Sequence, residues 1–302
     1  MLFDISHITI DELKDDLFVQ QQISVDVLRL DKLHPIVSGN KLFKLHYFLE
    51  DAIRSSHKTM LTFGGAYSNH LVATAFAGKH FGLRTIGIVR GEKPQQLSAT
   101  LQECINYGMQ LKFISREEYA LKDDPAFNNS LQKEFGEYLS IHEGGYHTLG
   151  ARGASLIMDL VKVGHYSHIV TAMGTATTLA GLLLAAEAGQ TIVGINALKG
   201  MTDIEERIIH LTGDKALKKQ LEIKDNYHFG GYAKKTDELI QFMNRCWQQF
   251  QLPTDFVYTA KMLYAVFDLV KNNYFPKGSS IICLHTGGLQ GNRSLPVDTL
   301  LY

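Results

Sequence analysis

Short apolar runs rich in valine, isoleucine and phenylalanine alternate along the chain with stretches whose apolar residues recur at helical spacing. The runs predict strands at 25–30, 59–63, 84–89, 110–114, 138–142, 167–172, 191–195 and 279–284. The periodic stretches predict helices at 40–56, 68–81, 97–107, 128–135, 148–163, 177–188, 203–211, 236–250 and 259–272. In the first helix Leu42, Leu45, Phe48, Leu49, Ala52 and Ile53 fall on one face. Such alternation predicts βαβ units: an α/β fold of open, twisted, mostly parallel sheets flanked by helices. Ligands in these folds sit beyond the carboxyl ends of the strands. Glycines stand at that edge after the second, fifth, sixth and last strands, as Gly64-Gly65, Gly144-Gly145, Gly174 and Gly287-Gly288.

Composition narrows the function class. A chain of 302 residues, 45% hydrophobic, with net charge -1, can bury a full core and gives no electrostatic case for nucleic acid or an anionic membrane. Lys218-Lys219 and Lys234-Lys235 read as solvated surface. Three scattered cysteines without a C-x-x-C argue for a reducing cytosol and against structural zinc or a disulfide framework. The acidic, interrupted N-terminus is unlike a signal peptide, and the longest apolar run, 179–186, is too short to cross a bilayer. A cytoplasmic protein is expected, with no metal.

Ser38-Gly39-Asn40-Lys41 puts a lysine in the first turn of a helix, where the backbone already carries roughly half a positive charge. Alone, such a lysine reads as solvated surface. Desolvated, its pKa can fall from about 10.4 towards 7 or 8, and its amine becomes a nucleophile for a carbonyl. Ser68, in Gly64-Gly65-Ala66-Tyr67-Ser68-Asn69-His70, either simply caps the next helix or opens a carboxylate site behind it. The turn Gly174-Thr175-Ala176-Thr177-Thr178 could surround a single phosphate, or only begin a helix. Tyr258 precedes the expected N-cap Thr259 and serves equally as a hydrophobic staple or a site phenol. There is no H-E-x-x-H and no G-x-S-x-G.

A lysine amine, a phosphate cup and a carboxylate site on one edge meet the needs of pyridoxal phosphate. With Glu143-Gly144-Gly145, Val257-Tyr258 and His285-Thr286-Gly287-Gly288 added, the chain resembles the D-cysteine desulfhydrase / 1-aminocyclopropane-1-carboxylate (ACC) deaminase family over about 37–291. That family is tryptophan-synthase-β-like, pyridoxal fold type II. The resemblance implies that Lys41 carries pyridoxal 5'-phosphate and shuttles the α-proton. It implies further that Asn69 bonds the ring hydroxyl, that Gly174, Thr175, Ala176, Thr177 and Thr178 hold the phosphate, and that Thr286 belongs to the cofactor shell. Ser68, Asn69, His70, Tyr232 and Tyr258 would face a small amino-acid substrate, with Ser68 and Tyr258 catalytic. A large domain of 1–54 and 153–302, a small mobile domain of 55–152 and a homodimer are implied as well. Members that open the ACC ring carry Glu after the tyrosine and Leu in the His-x-Gly-Gly motif, where this chain has Thr259 and Thr286. Hydroxyls there favour β-elimination from D-cysteine over ACC opening. A non-catalytic binder on the same fold is the reading from another class. Tyr67, Tyr146-His147 and Thr177 depart from the family pattern, the bulky ones towards the expected substrate side.

Overall fold

Two sheets organise the computed structural model, which describes residues 2–55, 57–161, 165–213 and 221–302. In chain order the strands are β1 (Ile10–Glu12), β2 (Ser24–Leu28), β3 (Thr59–Gly64), β4 (Arg84–Arg90), β5 (Gln110–Ile114), β6 (Leu139–Ile141), β7 (His168–Met173), β8 (Thr191–Asn196), β9 (Leu221–Lys224) and β10 (Ser280–Leu284). One sheet has the order β1-β2-β10-β7-β8-β9 and is parallel except for β1 against β2. The other, β5-β4-β3-β6, is parallel throughout.

Central strands are apolar on both faces because helices cover both. In β10, Ile281 and Cys283 enter one core with Val170, Phe242 and Val266, while Ile282 and Leu284 enter the other with Leu28, Ile169 and Leu179. The two missed strands, β1 and β9, are short edges in which charged side chains interrupt the apolar pattern. The 148–163 helix is instead Thr148–Ser155 followed by Met158–Val161, with 162–163 outside the described residues. Ser56, the end of the first expected helix, and Lys218-Lys219 also lie outside them, whereas Lys234-Lys235 is exposed.

The Thr148–Ser155 helix packs against both the Lys41–Arg54 and the Thr177–Ala185 helices beside the cleft described below. The contact is close enough that a Cβ on Gly153 would meet the Phe43 carbonyl oxygen at 2.2 Å. Backbone contact at this point fixes where the first helix begins. Among the described residues no helix is long and apolar enough to cross a membrane.

Histidines close several turns around these elements. Nδ1 of His34 accepts from the N–H groups of Ile36 and Val37 at 3.1 and 3.0 Å. Nδ1 of His147 accepts from Leu149 at 3.1 Å, and that of His228 from Gly230 at 3.0 Å. These caps need the Nδ1 lone pair free. Burial lowers the pKa of His34, and burial with His142 and His210 lowers that of His147. A depressed folded-state pKa stabilises the protein above the unfolded value of about 6.5, and that contribution is lost as pH falls. The unfolding midpoint is therefore expected to stay level just above neutrality and to drop between about pH 6.5 and 5; a midpoint unchanged over that interval in a thermal melt series would contradict the capping account.

Candidate active site

The Lys41 turn is clasped against the turn after β10. Gly39 has φ +90°, and a Cβ there would meet the Thr286 carbonyl oxygen at 1.9 Å. Asn40 N–H donates to that same oxygen at 3.3 Å. Lys41 Nζ donates to Asn40 Oδ1 at 2.7 Å, and Asn40 Nδ2 donates to Thr178 Oγ1 at 2.7 Å. A two-bond chain thus joins the lysine amine to the 175–178 turn, and both line one cleft of about 570 Å³. Burial brings the Lys41 amine down to about 8, against an opposing pull from Asp255.

The 175–178 turn has the makings of an anion site. The Thr177–Ala185 helix starts without a side-chain cap, from Ala176 at φ 65°, so its first N–H groups have no side-chain acceptor. Thr175 and Thr177 hydroxyls lie 2.9 Å apart. Lys44, missed in the sequence, is buried and donates to the Gly144 carbonyl at 3.2 Å; a Cβ on that glycine would touch the Thr175 methyl at 3.0 Å. Burial and the neighbouring Lys41 drive the Lys44 pKa well below its ordinary value. A buried amine with no carboxylate within 4.0 Å among the described residues, beside an uncapped helix start, calls for an anionic ligand.

Ser68 does cap the Asn69–Phe81 helix, accepting from Leu71 N–H at 3.3 Å, and it lines the cleft as well. Asn69 Oδ1 and both ring nitrogens of His70 are buried without a hydrogen-bond partner. Burial, then Lys41 and Lys44, hold His70 down to about 3, so its ring is neutral. Tyr258 and Tyr232 meet edge to face at the cleft with ring centres 6.3 Å apart. Burial, with Tyr232, Asp255 and Glu143, keeps the Tyr258 phenol well above its usual pKa. Gly174 lies under that ring: a Cβ there would stand 3.1 Å from the Tyr258 hydroxyl.

Two expectations need correction. Thr259 is not the helix cap; it is the first residue of the Thr259–Lys271 helix, fully buried, and it does not line the cleft. The cap position is Tyr258, which makes no side-chain cap bond; the helix start is held instead by Asp255, whose carboxylate accepts from the N–H groups of Val257, Tyr258 and Thr259 at 2.9 Å and from the Thr259 hydroxyl at 2.7 Å. Of the two threonines, only Thr286 reaches the cleft. Tyr146 does not line the cleft either: it stacks on His210 with ring centres 5.5 Å apart and lies against Arg207, which does, while His147 caps the following helix. Tyr67 does line the cleft, at its exposed rim.

Sequence reasoning missed Asn40, Lys44 and Asp255. Lys44 stands three residues after Lys41, on the same helix face, a signal present in the sequence; Asp255 lies four residues before the helix start, outside the usual cap position, and its role shows only in the structure. The cleft fits pyridoxal phosphate: an amine for the aldehyde, an uncapped helix start with Lys44 for the phosphate, and an orphaned acceptor on Asn69 for a ring hydroxyl.

A Thermotoga maritima protein provisionally named 1-aminocyclopropane-1-carboxylate deaminase is 30% identical over 285 residues, covering 89% of each chain. The Arabidopsis thaliana mitochondrial bifunctional D-cysteine desulfhydrase/1-aminocyclopropane-1-carboxylate deaminase is 29% identical, covering 84% of this chain and 70% of its own. A crystal structure of an ACC deaminase homologue superposes with a TM-score of 0.80 at 25% identity, covering 95% of this chain and 90% of that one. The resemblance read from the motifs is thereby borne out, as is the fold type. The profile of the family described as "Pyridoxal-phosphate dependent enzyme" matches residues 19–287, and the chain belongs to that family.

Proposed function

We propose that this protein is a deaminating lyase for a small amino acid with a leaving group on its β-carbon, D-cysteine first among them. The balanced reaction takes D-cysteine and water to pyruvate, hydrogen sulfide and ammonia. The observation that carries this reading is at the turn after β10. Thr286 offers a neutral hydroxyl there, and Asp255, the nearby carboxylate, already has its lone pairs engaged by four donors. Such a hydroxyl, were it the partner of the ring nitrogen of bound cofactor, would support departure of a thiol better than cleavage of a carbon–carbon bond.

When bound, pyridoxal phosphate supplies the ring that accepts the electron pair released at the α-carbon. Lys41 holds the cofactor and then carries the α-proton, part of its amine being unprotonated near neutrality at a pKa of about 8. Gly174, Thr175, Ala176, Thr177, Thr178 and Lys44 hold the phosphate, and Asn69 accepts from the ring hydroxyl. Ser68 and the N–H groups behind it receive the substrate carboxylate, beside the neutral ring of His70. Tyr232 and Tyr258 cover the substrate, and the protonated Tyr258 phenol donates towards the departing group.

Residues 55–152, which contain the whole four-stranded sheet, form the smaller unit that closes over substrate, against a larger unit of 1–54 and 153–302. The reading also includes a homodimer in the cytoplasm, where the buried free thiols of Cys104, Cys246 and Cys283 stay reduced. A second reading, ACC deamination to 2-oxobutanoate and ammonia, is favoured by the names of the Thermotoga and Arabidopsis relatives.

A screen of D- and L-amino acids and ACC for 2-oxo acid release decides between them. D-Cysteine is expected to be the best substrate with sulfide as co-product, and faster release from ACC would hand the case to the second reading. In Lys41→Ala, turnover is expected to vanish, and borohydride treatment should no longer couple cofactor to residue 41. Persistent coupling elsewhere would move the attachment site. Lys44→Met replaces a buried, desolvated amine by an apolar side chain, so the cofactor-free protein should gain about 1–3 kcal/mol in urea unfolding. Its affinity for pyridoxal phosphate should fall at least about tenfold. A variant that binds the cofactor as tightly as the parent would remove Lys44 from the phosphate site.

A further inference from the structure

A second cavity, of about 160 Å³, shares no lining residue with the cleft. Thr100 and Glu103 line it from the Ala99–Asn106 helix, and Ser38, Gln290 and Arg293 from the turns that precede Lys41 and follow β10. Thr100 is 2% exposed and its Oγ1 has no hydrogen-bond partner; Gln290 Nε2 is likewise buried and unpartnered. Buried polar groups left single in this way are uncommon unless a ligand or water takes them.

The charges in this cavity are also available. Glu103 and Arg293 have no ion-pair partner within 4.0 Å among the described residues. The third charged residue of the wall, Asp31, is already paired with Arg29 at 2.7 Å and lies 3.3 Å from His285 Nδ1. One free acid, one free base, an amide donor and a hydroxyl match a ligand that carries both signs. A single water needs only about 10–15 Å³, and a cavity near 150 Å³ admits a ring of about six carbons, so the space suits a molecule of that size.

We propose that this cavity is a second binding site, for a small zwitterionic amino acid, separate from the site of chemistry. The ammonium lies towards Glu103 and the carboxylate towards Arg293 and Gln290, with the Thr100 hydroxyl completing the contacts. No lysine lines the cavity, so the occupant is bound without being turned over. Because the walls come from both sides, occupancy ties the Ala99–Asn106 helix to the turn that continues from Gly287-Gly288 in the cleft. The site does not depend on which amino acid the cleft consumes.

The test uses enzyme loaded with pyridoxal phosphate, with glycine and both enantiomers of alanine as probes, since none has a β leaving group. Equilibrium dialysis counts bound probe, while the visible spectrum of the cofactor reports occupancy of the cleft alone. At least one probe is expected to bind with one equivalent per chain that leaves the spectrum unchanged. That equivalent should weaken at least about tenfold in Glu103→Gln and in Thr100→Val, with spectral titrations as in the parent. Thr100→Val replaces an unpaired hydroxyl by a methyl group, so its melting midpoint should be equal or higher, which separates lost binding from lost fold. Absence of a spectrally silent equivalent for every probe up to about 10 mM would overturn the proposal, and so would a silent equivalent equally strong in both variants.

Discussion

The contact between Gly39 and the Thr286 carbonyl is the constraint on which the site depends. It brings the turn before the lysine helix within backbone contact of the turn after the last strand. Asn40 is then held where it can accept from Lys41 and donate to Thr178. The Lys41 amine, the Thr286 hydroxyl and the 175–178 turn come from sequence positions far apart, yet one contact sets their spacing in the cleft. The helix packing around Gly153 secures the same arrangement from behind.

Electrostatics across the cleft is arranged as a gradient. Lys41 and Lys44 stand at the end with the uncapped helix, and among the described residues neither has a carboxylate within 4.0 Å. Asp255 stands at the other end and raises the affinity of Lys41 for its proton, partly offsetting burial. An anionic ligand completes the lysine end, and the protein without it bears the cost of two desolvated amines. Cofactor binding and local stability are therefore coupled through the same charges.

Much of this was legible in the sequence. The predicted strands are all present in the structure, because strands buried on both faces leave long apolar runs. The four glycine turns do not share one sheet edge as expected: two follow β3 and β6 in one sheet and two follow β7 and β10 in the other, and a glycine of each lines the same cleft. The two edge strands were missed because their solvated positions carry charge and no run forms. Lys41, Ser68, Asn69, His70, Tyr232, Tyr258, Thr286 and the 174–178 turn all line the cleft. Thr259 was misjudged because sequence distance does not tell which side of a helix start a hydroxyl faces; that is decided by the Asp255 carboxylate. Tyr146 was misjudged for a similar reason, since its partner His210 lies on a helix remote in sequence.

The Asp255 carboxylate also limits how such a chain can diverge. The resemblance implies glutamate at the position of Thr259 in members that open the ACC ring, yet here that side chain sits wholly inside the protein, donating to a carboxylate. Putting an acid there alone would remove the donor and set two negative groups against each other in a dry environment. A lineage moving between the two chemistries would have to change residues 255 and 259 together, so the intermediate sequences form a narrow pass rather than a slope.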